Sequence, residues 1–195
     1  MNKTAALLLL CTALFAQQKG TFTDTRYGKI YKTVKIGEQV WMAENLNYEA
    51  EGSRCYKNST AYCKKYGRLY NWETSMKACP NDWHLPSNVE WDILTKVVGG
   101  EKTASKYLKA VSGWNDRKNG ESGNGTDNFG FSALPGGSGK AGSFYDVGNS
   151  GHWWSSSESV KNYVDGWNMG YHSEYINWRS YGKDFLWSVR CLQDR

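Results

Sequence analysis

Four cysteines that follow an apolar leader, Cys55, Cys63, Cys79 and Cys191, limit the fold of this chain more than any other feature. Met1-Asn2-Lys3 is a short positive start, Ala5 to Phe15 is an apolar run of 11 residues, and Leu14-Phe15-Ala16 ends on a small residue suited to cleavage before Gln17. That order is the pattern of a secretory signal peptide, here residues 1–16, followed by a single domain over residues 17–195. A transmembrane anchor would need about 20 apolar residues, so no membrane span is expected once the leader is cleaved. Leu10 stands before Cys11 where lipidation wants a small residue, so Cys11 is expected to leave with the leader. An even cysteine count in a chain bound for an oxidising compartment, secreted or at the cell envelope, reads as two disulfides. Three pairings are open. Cys55–Cys63 with Cys79–Cys191 is favoured, because the first pair is local and the second ties the middle of the chain to its end. Spacings of 8, 16 and 112 contain no C-x-x-C pair and match no common zinc module.

Composition narrows the class. The chain carries 10 Trp, 13 Tyr and 6 Phe beside 21 Gly, which excludes disorder, since disordered chains lack aromatics. Long Ala/Leu/Glu/Lys stretches of helical period are scarce, so a helix bundle or a regular doubly wound fold is disfavoured. What remains is a loop-rich, mainly β or α+β domain. A net charge of +5, spread over a chain that is 22% charged, lacks the concentrated basic stripe of a nucleic-acid binder.

Local patterns place several elements. Ile30 to Ile36 and Gln39 to Met42, joined by Gly37-Glu38, read as a hairpin with a type II′ turn. Tyr48 to Arg68 reads as an irregular excursion pinned by Cys55–Cys63, and Leu69 to Ala78 as a short helix. Ser87 with Glu90 three residues on makes a capping box behind Pro86, and Trp91, Leu94 and Val98 line one face before Gly99-Gly100 ends the helix. Thr103 to Val111 is expected as another helix, with Tyr107, Leu108 and Val111 inward. Gly113 to Asn128 is a long polar loop, either mobile or functional. Strands are expected at Gly130–Leu134, Gly151–Ser157, Val164–Tyr171, Tyr175–Arg179 and Phe185–Leu192. In the last, Phe185, Trp187, Val189 and Cys191 share the core face, with Ser188 and Arg190 on the other.

Six ordered blocks carry a resemblance. They are Gly28-Lys29-x-Tyr31-Lys32-Thr33-Val34-x-Ile36-Gly37-x-Gln39-x-Trp41-Met42-Ala43-Glu44-Asn45-Leu46, Tyr66-Gly67-Arg68-Leu69-Tyr70-Asn71-Trp72, Cys79-Pro80-x-x-Trp83-His84-Leu85-Pro86-Ser87-x-x-Glu90-Trp91, Gly130-Phe131-Ser132-Ala133-Leu134-Pro135-Gly136-Gly137, Trp153-Trp154-Ser155-Ser156 and Ser188-Val189-Arg190-Cys191. Over residues 24–194 the chain resembles the Fibrobacter succinogenes major paralogous domain, a group of secreted bacterial proteins of unsettled function. The block around Leu85-Pro86-Ser87 is also similar to the formylglycine-generating, sulfatase-modifying family, and Cys79, His84-Leu85 and the terminal Cys191 to C-type lectin-like domains. The resemblance implies an α+β, C-type lectin-like fold, loop-rich, with short antiparallel strands and two or three short helices. It also supports Cys79–Cys191.

Catalysis is not expected. The sulfatase-modifying enzymes rely on reactive copper-binding cysteines toward the C-terminal part of the fold, and Cys191 is the only cysteine after Cys79. His84, His152 and His172 are too scattered for a metal triad, and no acidic dyad is legible among Asp116, Glu121, Asp127, Asp146, Glu158 and Asp165. Trp114-Asn115-Asp116 repeats the letters of a calcium-lectin motif but lies far before Cys191, and no Glu-Pro-Asn or Gln-Pro-Asp accompanies it. The oxygen-rich loop holding Asn115, Asp116 and Asp127 still offers donors for a hard cation, so Ca2+ is the one cofactor to test there.

Aromatics supply the binding hypothesis. Trp41, Trp72, Trp83, Trp91 and Trp187 sit in motifs or on apolar faces and are assigned to the core. Adjacent strand residues face opposite ways, so only one of Trp153 and Trp154 is expected to face the core. The other, with Trp114, Trp167, Tyr171 and Trp178, forms the expected binding face. The chain thus reads as a secreted or cell-surface non-catalytic module for an extracellular polysaccharide or a surface protein. The alternative is a protein-recognising adhesion or structural subunit of the envelope.

Overall fold

The turn at Gly37-Glu38 sets the first sheet. A computed structural model describes residues 18–161 and 163–195; the expected leader over 1–16, with Cys11, lies outside them. β1 (Lys19–Asp24), β2 (Lys29–Ile36) and β3 (Gln39–Met42) run antiparallel, with Ile36 opposite Gln39 across the turn. Gly37 has φ 61° while Glu38 keeps an ordinary negative φ, as a type II′ turn requires. Along the chain follow α1 (Thr60–Tyr66), β4 (Leu69–Tyr70), α2 (Trp72–Ala78), β5 (Trp83–His84), α3 (Asn88–Val97), α4 (Ala104–Leu108), β6 (Ser138–Lys140), β7 (Ser143–Tyr145), β8 (Ser150–Val160), β9 (Tyr163–Gly170), β10 (Ile176–Gly182), β11 (Trp187–Ser188) and β12 (Leu192–Gln193). The class is α+β, mostly strands in open sheets, with four short α-helices among the described residues rather than two or three.

Two five-stranded sheets organise the domain, one ordered β1-β2-β3-β12-β5 and the other β10-β9-β8-β11-β4, with β6-β7 as a small pair. The pairing is antiparallel except between β8 and β11, where Ser188 lies beside Trp153. The expected strand Phe185–Leu192 is split. Its first part, β11, belongs to the second sheet and its last, β12, to the first, so the chain end stitches the sheets together. Between them the Met42 and Leu46 amides donate to the Cys191 and Val189 carbonyls. The predicted alternation holds, since Trp187, Val189 and Cys191 share one core cluster, but the other face is covered too: Ser188 is 1% and Arg190 0% exposed.

Both expected disulfides are present, Cys55–Cys63 and Cys79–Cys191. The first brackets a stretch that is less irregular than expected, because α1 begins at Thr60 although its sequence lacks an apolar helical period. Leu69 and Tyr70 pair as β4, and the helix starts only after Asn71, whose side chain accepts from the Thr74 amide at 2.8 Å. α3 has the predicted capping box, and Trp91, Leu94 and Val98 are buried. Trp91 packs against Trp41, Trp153, Phe131 and Trp167, stacking on the last at 5.7 Å. α4 ends at Leu108, because Lys109 turns extended, and Val111 is 65% exposed instead of inward. Gly130–Leu134 forms no strand, only a bridge from Ala133 to Lys109.

Candidate functional site

One buried asparagine joins most of the sequence blocks. Asn45, in the extended stretch after β3, is 4% exposed. Its Oδ1 accepts from Trp153 Nε1 at 2.9 Å and from Arg190 Nη2 and Nε at 2.8 and 3.3 Å. Its Nδ2 donates to the Tyr66 carbonyl at 2.9 Å and to Ser188 Oγ at 3.3 Å. Arg190 also donates to the Phe131 and Ser132 carbonyls, and its guanidinium lies 4.3 Å from the Phe131 ring centroid. Four blocks, some nearly 150 residues apart in the chain, therefore meet at one fully satisfied amide, and Arg190 joins a fifth through Phe131 and Ser132.

Arg190 is a charge without a carboxylate partner among the described residues. Burial pulls its pKa down to about 9, partly offset by the fields of Asp127 and Glu44, so it is protonated at neutral pH. Hydrogen bonds and the Phe131 face replace its hydration, but the positive charge itself is not neutralised.

Directly outside this hub lies a cleft of about 310 Å³. Asn45 and Ser132, both bonded to Arg190, form part of its wall, with Glu44 and Asn47 beside them. β2 contributes Lys29 and Lys32, and the end of α1 contributes Lys64 and Lys65. Gly67, at φ 78°, lets the two walls approach, because a Cβ there would stand 2.8 Å from Asn45 Cβ and the Leu46 carbonyl. Lys29 pairs with Glu44 at 3.2 Å, and the Lys65 ammonium lies 4.9 Å from the Tyr66 ring centroid. Lys32 and Lys64 are exposed and form no ion pair among the described residues. Nor are the α1 lysines occupied as caps. The Cys63 carbonyl accepts from the Gly67 amide and the Tyr66 carbonyl from Asn45. Asn47 lines the cleft too, with its Oδ1 buried away from solvent and without a hydrogen-bond partner among the described residues.

The expected aromatic face does not assemble. Trp114 is 4%, Trp153 0%, Trp154 0% and Trp167 1% exposed, and Tyr171 is partly buried against the main core. Trp153 and Trp154 do face opposite ways, but β8 is an inner strand with a hydrophobic cluster on each side. Trp153 meets Trp91 on one, and Trp154 stacks on Trp187 at 4.3 Å on the other. Trp114 Nε1 donates to the Ala133 carbonyl and Trp167 Nε1 to Asn88 Oδ1, which satisfies both polar tips internally. Only Trp178, on the edge strand β10, is well exposed, at 48%.

The predicted cation loop is irregular as expected but does not gather its oxygens. Asp127 spends both carboxylate oxygens on Ser132, at 2.7 and 2.6 Å, while Asn115 donates to Asn149 and Asp116 is exposed. No group of three or more His, Cys, Asp or Glu among the described residues is arranged to hold a metal ion. Lys109, 1% exposed, fastens this loop by donating to the Gly123, Gly170 and Ser173 carbonyls at 2.7, 3.1 and 3.2 Å. Burial, reinforced by Arg117 and opposed by Glu174, lowers its pKa to about 8. His84 clasps the chain end, with Nδ1 at 2.5 Å from Asp194 and Nε2 at 2.9 Å from Glu90.

Asn45 and Arg190 lie inside blocks of the sequence, but the local pattern assigns neither a role. It singles out none of the cleft lysines. The only signal was the Lys64-Lys65 pair beside Cys63, because the cleft is built from segments that only folding brings together. Among the described residues no helix is long and apolar enough to cross a membrane. Neither a curated protein nor a solved structure matches this chain. Residues 34–193 match the Fibrobacter succinogenes major domain, and the chain belongs to that family, whose function is not established.

Proposed function

We propose that this domain is an extracellular, non-catalytic binding module of C-type lectin-like architecture, delivered by the leader over residues 1–16, and that it holds a polysaccharide in the lysine-lined cleft. The observation that carries this reading is the cleft itself: exposed ammonium groups without partners stand over a rigid, fully hydrogen-bonded hub. A rigid floor under adaptable polar side chains suits recognition, because the floor loses little entropy on binding. The two disulfides suit an oxidising compartment. The carboxylates that a hydrolase would need are engaged separately, Asp165 with Asn88 and Ser180, Glu158 with Lys183 and Glu121 with Arg117. No two of these three share a partner among the described residues, although Glu121 shares Arg117 with Glu174.

A protein-recognising role is the second reading, and it rests on the edge strand β10. Trp178 is exposed there, beside Tyr175 at 50% exposure before the strand and Tyr163 at 51% on the neighbouring strand. Retention of the purified protein on cellulose, xylan, chitin, pectin and bacterial envelope material separates the two. Retention on a polysaccharide, competed by the soluble sugar and lost in Lys32→Gln/Lys64→Gln but kept in Trp178→Ala, supports the cleft. Retention on envelope alone, uncompeted by sugar and lost in Trp178→Ala, supports protein recognition instead.

A further inference from the structure

No tryptophan lines the cleft, so it cannot grip a sugar by its apolar face. Its one aromatic ring, Tyr66, is 6% exposed and carries the Lys65 ammonium above it. A neutral glycan, which normally relies on stacking against aromatic rings, finds little there to offset the loss of its hydration. The charge distribution is one-sided. Lys29, Lys32, Lys64 and Lys65 face a single wall carboxylate, Glu44, already taken by Lys29.

Arg190 strengthens this field from behind. It is fully buried and lacks a carboxylate partner among the described residues, and it bonds to two wall residues, Asn45 and Ser132. A charge in the low-dielectric interior is poorly screened, so its attraction for an anion in the cleft persists where surface charges fade. The wall is not purely cationic, however. Glu44, part-exposed beside Lys29, is an acceptor on it. An inner polyphosphate or phosphodiester group brings no donor for that carboxylate and is repelled by it. A sugar acid brings a carboxylate for the ammonium groups and hydroxyls for Glu44.

Resting on the proposed polysaccharide reading, we propose that the cleft binds a uronic-acid unit of an acidic polysaccharide. Lys32 and Lys64 hold its carboxylate, and Glu44 accepts from its hydroxyls. The buried hub fixes the wall and Arg190 supplies the unscreened part of the attraction.

The test compares polygalacturonate with its fully methyl-esterified form, which keeps the backbone and hydroxyls but removes the charge. Inorganic polyphosphate serves as an anion without sugar. The purified protein is expected to bind the acid roughly tenfold or more tighter than the ester, as loss of two close charge pairs would give. Salt at about 0.3 M weakens the acid complex. Lys32→Gln/Lys64→Gln removes the preference for acid over ester, whereas Lys77→Gln, on an exposed turn of α2, leaves it unchanged. Equal binding to acid and ester overturns this inference and leaves the polysaccharide reading standing. Polyphosphate binding as tight as the acid overturns the uronate assignment in favour of any polyanion. Absence of binding to all three overturns both.

Discussion

Replacing Asn45 with Ala tests the hub directly, because no other side chain within it can take over its contacts. The change removes the acceptor for Trp153 Nε1 and for Arg190 Nε and Nη2, and the donor to the Tyr66 carbonyl. Nη2 keeps only the 3.4 Å contact to the Ser132 carbonyl. An orphaned buried polar group costs about 1–3 kcal/mol, more when charged, so the neutral indole and carbonyl with the charged guanidinium add up to roughly 4–6 kcal/mol. Water entering from the adjacent cleft brings the cost toward the lower value. At about 2–4 °C per kcal/mol for a domain of this size, Tm falls by roughly 8–24 °C. Asn45→Asp keeps the acceptor contacts to Trp153 and Arg190 and loses the donors to the Tyr66 carbonyl and Ser188 Oγ, so it is expected to cost less than Ala. Urea titration and calorimetry with the disulfides intact read both variants. A loss below about 1 kcal/mol for Ala, within the range of an ordinary surface change, refutes the hub.

Other predictions follow from the same contacts. In the chain-entropy view, Cys79→Ser/Cys191→Ser, which opens a separation of 112, loses about 5 kcal/mol, and Cys55→Ser/Cys63→Ser, with a separation of 8, about half of that; the reverse order in urea titration contradicts this. Burial lowers the His84 pKa, but hydrogen bonds to Asp194 and Glu90 outweigh it and hold the group above the ordinary histidine value. The clasp therefore stabilises fully below about pH 6.5 and fades as pH rises through the raised value, so the Tm difference between wild type and His84→Gln is larger at acid than at alkaline pH. Burial drives the His152 pKa down to about 4 against the opposing field of Asp146, so stability drains as pH falls from about 6.5 toward that value, and His152→Phe flattens this limb of the Tm profile.

The parts of this fold that were legible are those governed by local chemistry. Gly37-Glu38 fixes its own turn, Ser87 and Glu90 cap their own helix, and the cysteines pair as spacing and resemblance suggested. Alternation correctly separated Trp153 from Trp154 and Cys191 from Arg190. It does not tell whether the second face of a strand meets water, and in both cases a second core cluster covers it. That one gap turned an expected exposed tryptophan into a buried one and an expected surface arginine into a buried charge. Trp114 and Trp167, expected on the binding face, are buried too, because the Ala133 carbonyl and Asn88 accept from their indoles inside the domain. The cleft was invisible, since its lysines come from β2 and α1 and its wall includes Ser132, and no local pattern encodes that meeting.

The most direct test of the binding account is lysine footprinting by acetylation and mass spectrometry, with and without saturating polygalacturonate. The account predicts protection confined to Lys29, Lys32, Lys64 and Lys65, with the exposed Lys77, Lys96 and Lys118 unchanged. Bound polymer that leaves those four as reactive as before, or that protects Lys118 in the long loop instead, contradicts it.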